Sequence, residues 1–399
     1  MHQAYIYDAI RTPRARGRAD GALADMSVFD VLNTLYQALE QRTGLDTAIV
    51  EDVILGCVTQ AGEQGGNIAK TSLLYACWPD AVPGITINRF CSSGLDAINF
   101  AATKVMAGQA SCIVAGGVEM MSRVPMLSDN AVMFANGELA LDNRMLMMGS
   151  GADLIASLNT LTREQVDLVA YNSQQRAAQA RDKGYFKSIV AVHNATKGCW
   201  VSQDECIRDQ LSLGDLAQLK PYFAELGSHG IDALQISEHS HLDSIIHLHT
   251  AGNSPAMADA AALVLVGDAL LQDQGLMPRA RIVSAVTVCH DPLQVVSGCV
   301  AATSKLLSKQ GLTSDNIDLF EVHEAFAATS IKAQRELAID DSKFNVNGGV
   351  IALGHPMGAT GSIMMGMLID ELERRDLQTG VVATSGAAGI GTAVLIERV

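Results

Sequence analysis

A cysteine lies in Asn88-Arg89-Phe90-Cys91-Ser92-Ser93-Gly94-Leu95, between the β-branched run Ile85-Thr86-Ile87 and a segment that opens on glycine and continues with helical spacing. A thiol at a helix N-terminus faces free N–H groups and the positive end of the helix dipole, so its pKa is expected to fall below the free value of ~8.5. Cys91 is therefore a candidate nucleophile; a buried cysteine at a tight strand-to-helix turn is the plainer alternative. A second glycine-rich turn, Gly354-His355-Pro356-Met357-Gly358-Ala359-Thr360-Gly361, carries an imidazole that would activate a neighbouring thiol as general base. His323, in Glu321-Val322-His323-Glu324-Ala325-Phe326-Ala327, follows the strand pattern Asp318 to Phe320, and strand C-termini in α/β sheets are where ligands sit. A helix-capping role is its alternative. Thr384-Ser385-Gly386-Ala387-Ala388-Gly389-Ile390-Gly391 can present backbone N–H groups to an oxyanion or a phosphate.

Two other clusters carry less. His239, His241, His247 and His249 form two HxH pairs, but no carboxylate or cysteine visibly completes a site, so no metal is expected. Arg11, Arg14, Arg16 and Arg18 make the one basic run, which is expected to be a solvated loop.

The elements that would hold these residues alternate between strand and helix, which points to α/β layers. A helix is predicted from Ser27 to about Arg42, where Ser27 and Asp30 form a capping pair and Gly44 ends the run; a second spans Gly94 to about Ala107. Short strands are predicted at Val53-Ile54-Leu55, Ile85-Thr86-Ile87 and Ser111 to Ala115. The order then recurs about 267 residues later. Gly44 matches Gly311, Gly94 matches Gly361 and Val114-Ala115 matches Val382-Ala383, while Ile85-Thr86-Ile87-Asn88 finds a counterpart in Phe344-Asn345-Val346-Asn347. Two related halves are expected, one built from 1–120 with 249–270 and the other from 271–399. The segment 121–248 breaks the pattern with a Met-rich stretch and a polar helix near Thr162 to Lys183. It reads as an insertion on the first half, of the kind that often covers a binding site.

The chain has 399 residues, 48% apolar and 18% charged, with a formal charge of −15. That composition supports a large core and argues against nucleic acid or an anionic membrane as partner; no apolar run is long enough for a membrane span. Eight cysteines without a CxxC pair suit a reducing compartment, and a cytoplasmic location is expected.

Taken together, NRFCSSGLDAI, AGGVEMMS, TAGNSPAMADAAA, HEAFA, GHPMGATG and the glycine-rich C-terminus resemble the thiolase family, the acetyl-CoA C-acyltransferases, over essentially the whole chain. The resemblance implies a five-layered αβαβα fold of two duplicated halves with an inserted loop domain. It also implies acyl transfer from a 3-ketoacyl-CoA or acetyl-CoA, in fatty-acid β-oxidation or acetoacetyl-CoA metabolism, through an S-acyl Cys91. His355 would activate the thiol, and His323 stands where most of the family has Asn, as in a branch of long-chain degradative thiolases. The backbone N–H groups of Cys91 and Ala387 would form the oxyanion site. Arg208 would lie near the CoA nucleotide, Ser254 near the pantetheine, and Met148 in the acyl pocket. CoA and acyl-CoA are then substrates, with no cofactor or metal. A homodimer or homotetramer is implied, and the HEAFA resemblance leaves room for a β-oxidation partner subunit.

One position departs from the family. Ser385 stands where a second catalytic cysteine moves the proton on the α-carbon, and a hydroxyl is a poor match to that task near neutral pH. Three readings follow: thiolysis supported by Ser385 and His323; decarboxylative condensation or other acyl transfer, which needs no α-proton abstraction; or a non-catalytic CoA-binding partner.

Overall fold

The computed structural model describes residues 2–399. The first half contributes β1 (Tyr5–Arg11), β2 (Ala15–Arg16), β3 (Asp52–Gly56), β4 (Gly84–Ile87) and β5 (Cys112–Met120). After the hairpin β6 (Val192–Asn194) and β7 (Cys199–Val201) come β8 (Ala258–Gly267), β9 (Ala280–Cys289), β10 (Leu319–Val322), β11 (Thr379–Ser385) and β12 (Ile390–Arg398).

The strands run in the order β10-β11-β12-β9-β1-β8-β5-β3-β4, but β9 and β1 meet at only Tyr5↔Arg281 and Ile6↔Ala280, so the path divides into two sheets there. The two sheets are built alike. In the first, β3 lies parallel to both β4 and β5, β5 is antiparallel to β8, and β8 is antiparallel to β1. In the second, β10 lies parallel to β11, β11 is antiparallel to β12, and β12 is antiparallel to β9; a parallel bridge Phe320↔Phe344 stands where β3 meets β4. The sequence repeat is thus a repeat of topology.

Side-chain alternation along the strands then dictates the layers. Cys112, Val114 and Val118 of β5 join Val28, Leu32 and Leu35 of the helix Val28–Thr43 in an outer core. Ile113 and Ala115 turn the other way, into a central core shared with Leu95 and Ile98 of the helix Ser93–Met106, Met365 and Leu368 of the helix Thr360–Arg375, and Val382 and Val394 of the second sheet. Val381 and Ala383 face a third core with Leu306 of the helix Gly298–Gln310 and Ala333 of the helix Ala327–Glu336. Helix, sheet, helix pair, sheet, helix make five layers.

The segment between β5 and β8 leaves the first half, yet Leu154, Ile155 and Val166 of its helices Met148–Leu158 and Arg163–Asp182 pack on Val295, Phe326, Ile351 and Ala387. Phe326 follows β10 and Ala387 follows β11, so the insertion covers the carboxyl ends of the second sheet. No helix among the described residues is long and apolar enough to cross a membrane.

Candidate active site

The turn before the helix Ser93–Met106 is held by its own polar residues. Phe90 has φ 49, a left-handed conformation rare for a bulky side chain. Asn88 Oδ1 accepts from Phe90 N–H at 2.8 Å and Ser93 Oγ accepts from Arg89 N–H at 2.8 Å, so the strain is over-determined by local bonds. Thr384 Oγ1, at the end of β11, lies 3.0 Å from Ser92 Oγ and ties this turn to the second half. Gly386 sits so close that an added Cβ would meet Arg89 O at 3.0 Å.

The two central helices start against each other, which brings the duplicated turns together. A Cβ on Gly94 would stand 2.5 Å from Gly358 O, one on Gly361 would stand 2.6 Å from Leu95, and Ser362 Oγ donates to Gly94 O at 2.9 Å. Beneath them the fully buried Glu119 gathers four N–H donors, with the Cys57 thiol at 3.9 Å as a weaker fifth. Its Oε1 accepts from Thr59 N–H (3.1 Å) and Gln64 Nε2 (2.9 Å), and its Oε2 from Val58 N–H (3.0 Å) and Gly358 N–H (2.9 Å). The His355 turn is thereby fastened to the loop after β3. His355 Nδ1 is 2.8 Å from Thr360 Oγ1, leaving Nε2 for other work, and its ring lies 4.5 Å from that of His323. His323 Nδ1 is 3.1 Å from Ser385 O, while its Nε2 is buried without a partner.

The electrostatics differ from the simple helix-dipole expectation. Burial, with the Glu119 carboxylate behind it, pushes the Cys91 thiol up to about 12, so the resting group is a thiol and not a thiolate. Burial also drives His323 down to about 4 and His355 well below its ordinary range, the latter with help from His323 and Arg14. Both rings are neutral near pH 7, and a neutral imidazole beside a thiol is a base waiting for its proton.

Ser385 is at the site, but its hydroxyl is turned aside. Its Oγ accepts from Cys299 N–H at 2.9 Å, at the start of the helix Gly298–Gln310. The N–H groups of Cys91 and Ala387 donate to no other residue among the described ones, as donors awaiting an oxyanion would. Ser254 Oγ is buried without a partner, Met148 is half-buried beside the insertion's core, and Arg208 is exposed with its guanidinium outside any ion pair among the described residues.

Two expectations are redirected. Arg11 and Arg14 are not solvated: each is 1% exposed, and Arg11 makes a two-pronged pair with Asp204 at 2.7 and 2.8 Å, while Arg16 pairs with Glu205. His247 and His249 are instead the two ligands of a carboxylate, with their Nδ1 atoms 2.8 and 2.6 Å from Asp153. That contact holds Asp153 below and His247 above their ordinary ranges. No group of three metal-binding side chains exists among the described residues. Sequence reasoning missed Glu119, although it lay in a quoted block, and missed the burial of Arg14.

This fold and this convergence of cysteine and histidines define an acyl-transfer enzyme, and the comparisons agree. The thiolase N-terminal domain model matches residues 4–240 and the thiolase C-terminal domain model residues 276–398. A 3-ketoacyl-CoA thiolase of Serratia proteamaculans is 37% identical, and a 3-oxoadipyl-CoA/3-oxo-5,6-dehydrosuberyl-CoA thiolase of Escherichia coli 36%, each covering 100% of both chains. Among solved structures, human mitochondrial 3-ketoacyl-CoA thiolase superposes with a TM-score of 0.87 at 30% identity, and the Bacillus anthracis acetyl-CoA acetyltransferase with 0.85 at 33%; each covers 100% of this chain and is itself covered over 99%. The chain belongs to the thiolase family. It is an acyltransferase of CoA thioesters, in fatty-acid or related CoA metabolism.

Proposed function

We propose that the chain cleaves 3-ketoacyl-CoA by thiolysis through Cys91. His355 Nε2 takes the thiol proton as sulfur adds to the 3-keto carbon; the Cα–Cβ bond breaks and the acetyl-CoA carbanion takes that same proton, which returns His355 to its neutral form. A second CoA then gives its thiol proton to His355 as its sulfur takes the acyl group, and the departing Cys91 sulfur recovers the proton. The carrying observation is the pair of neutral imidazoles, 4.5 Å apart and tilted by 42°, on turns packed against a cysteine turn in which, from Arg89 to Ser93, Cys91 N–H alone donates to no other described residue. CoA enters as substrate, with the unpartnered Ser254 hydroxyl for the pantetheine, Arg208 for the nucleotide phosphates and Met148 for the acyl chain. The proposed steps use no metal ion or redox cofactor. Eight free cysteines support a reducing, cytoplasmic setting.

The weak step is the proton on carbon. Ser385 Oγ accepts from Cys299 N–H, which anchors the hydroxyl away from the imidazoles, whereas the bare Nε2 of His323, its ring 4.5 Å from that of His355, can take the thiol's proton from His355 and pass it to carbon. The same turning aside of Ser385 favours a second reading, decarboxylative condensation, which needs no such proton. CoA-dependent cleavage of acetoacetyl-CoA and of a longer 3-ketoacyl-CoA tests this. Ser385→Cys is expected to raise thiolysis by at least ~10²-fold over measurable activity in the unmodified chain, the usual worth of a positioned acid/base. No thiolysis by the unmodified chain, with extension of the acyl adduct by malonyl-CoA, would establish the second reading.

The biological unit we propose is a homodimer across β4. This strand pairs on one side only, and around it Leu74, Tyr75, Ile85 and Phe100 are 44–52% exposed. An open strand edge flanked by large apolar side chains is completed by a second copy of itself. Ile85→Glu is expected to convert the dimer to a monomer in analytical ultracentrifugation; an unchanged sedimentation coefficient would remove β4 from the interface.

A further inference from the structure

Arg14 is a charged side chain that the reaction above does not use. It is 1% exposed, its Nε and Nη1 have no partner, and its Nη2 reaches only Met367 Sδ at 3.1 Å. A carboxylate would ordinarily compensate a buried guanidinium. Here Asp204 accepts from the Arg14 backbone N–H at 2.8 Å but spends both oxygens on the Arg11 guanidinium, and Glu205 pairs with Arg16. Glu321 is the remaining candidate and forms no ion pair with Arg14 among the described residues. The two face a common internal void that is too tight for a water molecule.

The walls of that void show what the charge is near. They include Glu321 and Val322, the two residues before His323; Val350 and Leu353, which lead into Gly354 and His355; and Met364 and Met367 of the helix that begins at Thr360, the partner of His355. We propose that Arg14 is a positioning residue for the His355 base: its uncompensated, unhydrated charge, lying behind the segment that leads into the His355 turn, disfavours a second positive charge on that imidazole and keeps it free to accept the Cys91 proton. The inference rests on the assignment of His355 as base.

The neighbouring charges agree with this reading. Burial brings Arg14 down only to about 10, so it stays charged near neutrality. Burial pushes Glu321 up to about 8 against the opposing pull of Arg14 and with help from Glu324 and Glu371, so it is largely neutral near pH 7 and leaves most of the Arg14 charge uncancelled. From the remaining side His355 is faced by His323, which is itself neutral. A unit charge at ~8 Å in an effective dielectric of ~20 shifts a neighbour's pKa by roughly 1.5 units.

The test reads His355 directly, without substrate. Exchange of the imidazole C2 hydrogen for deuterium, followed by peptide mass against pH, gives the titration midpoint of each histidine. In the unmodified chain the His355 midpoint is expected well below 6.5; an ordinary midpoint overturns the proposal. Arg14→Met removes the charge and the two unpaired donors beside Met367, and is expected to raise the midpoint by about one pH unit and to move the acid limb of kcat/KM upward with it. Arg14→Lys keeps the charge and the low midpoint. Arg14→Gln is a second neutral variant if the first folds poorly. A folded neutral variant with an unmoved His355 midpoint would mean that Arg14 serves only packing. Because the exchange needs no CoA, loss of the thiolase reaction leaves this result interpretable.

Discussion

Cys91→Ala is expected to lower kcat/KM for any 3-ketoacyl-CoA by at least ~10⁴-fold while leaving the fold intact, since the reaction divides at a sulfur ester that alanine cannot form. The direct reading is the mass of the intact protein after exposure to acetoacetyl-CoA. An acetyl adduct should appear on the unmodified chain and be absent from the variant. The other seven cysteines sharpen this test. Cys57, Cys112, Cys206 and Cys299 have thiols pushed up by burial, as Cys91 has, but they are buried away from any electrophile whereas Cys91 is part-exposed. Cys77, Cys199 and Cys289 are exposed and would react with any electrophile without regard to His355. Adduct confined to Cys91 and lost again on adding CoA is the signature of transfer. A Cys91→Ala protein that still turned over would end the mechanism, and adduct spread over the exposed cysteines would show chemistry without a site.

The resting protonation state adds a condition on that mechanism. With Cys91 pushed up and His355 pushed down, transfer of the proton between them is uphill in the free protein. It becomes favourable only as the sulfur bonds to carbon and the negative charge moves to the carbonyl oxygen. There the N–H groups of Cys91 and Ala387 are the available donors, while His323, with its ring proton on Nδ1 against the Ser385 carbonyl, presents Nε2 as a lone pair. In the proposed mechanism the donors thus meet a charge that appears only during the reaction, which is how preorganised donors discriminate the transition state from the ground state.

Local order was legible in the sequence wherever neighbours decide it. Ser27 does cap the helix Val28–Thr43 with Asp30, and Gly44 ends it in the left-handed region at φ 68. The repeat was visible because duplicated strands keep their spacing, and it carried the convergence of the Cys91 and His355 turns with it. The predicted strand ending at Ala115 runs on to Met120, because Gly116 and Gly117 are not breaks: a Cβ at Gly117 would stand 2.1 Å from Gly358 O, so glycine there is what lets the His355 turn approach. What the sequence concealed was every partner chosen across the fold. Arg11 meets Asp204 from 193 positions away, and His247 and His249, in irregular chain, find Asp153 in a helix 94 and 96 positions earlier. Composition around Arg11 to Arg18 reads as a hydrated run because nothing local announces the acidic residues that come to meet it. The orientation of Ser385 was hidden for the same reason, since it ends a strand and the donor that holds its hydroxyl belongs to a helix 86 positions earlier.

Glu119 is the residue whose loss should damage the molecule most without touching its substrate. Each oxygen of its carboxylate accepts two N–H donors, and the side chain is wholly buried. Burial pushes its pKa up, but the donors oppose that shift, and with two N–H groups aimed at each oxygen neither has room for a proton. The group is thus held as a carboxylate by geometry, and the nearest isostere fails for the same reason: Glu119→Gln would direct its NH₂ against two N–H donors whichever way the amide turned. Glu119→Ala strands Val58 N–H, Thr59 N–H, Gly358 N–H and Gln64 Nε2 in the interior. Removing one side of such a buried charged network costs about 3–5 kcal/mol. In urea the midpoint should fall at nearly unchanged slope, and Glu119→Gln should lose stability as well. The functional loss should exceed the stability loss, because Gly358 N–H is the point at which the His355 turn is fastened to the loop after β3. At urea-free conditions, where the variant is still folded, alkylation of Cys91 and acyl transfer should both slow as the His355 turn loosens. A Glu119→Ala protein with an unshifted midpoint and full activity would show that the four donors find other acceptors and that the carboxylate is dispensable to the site.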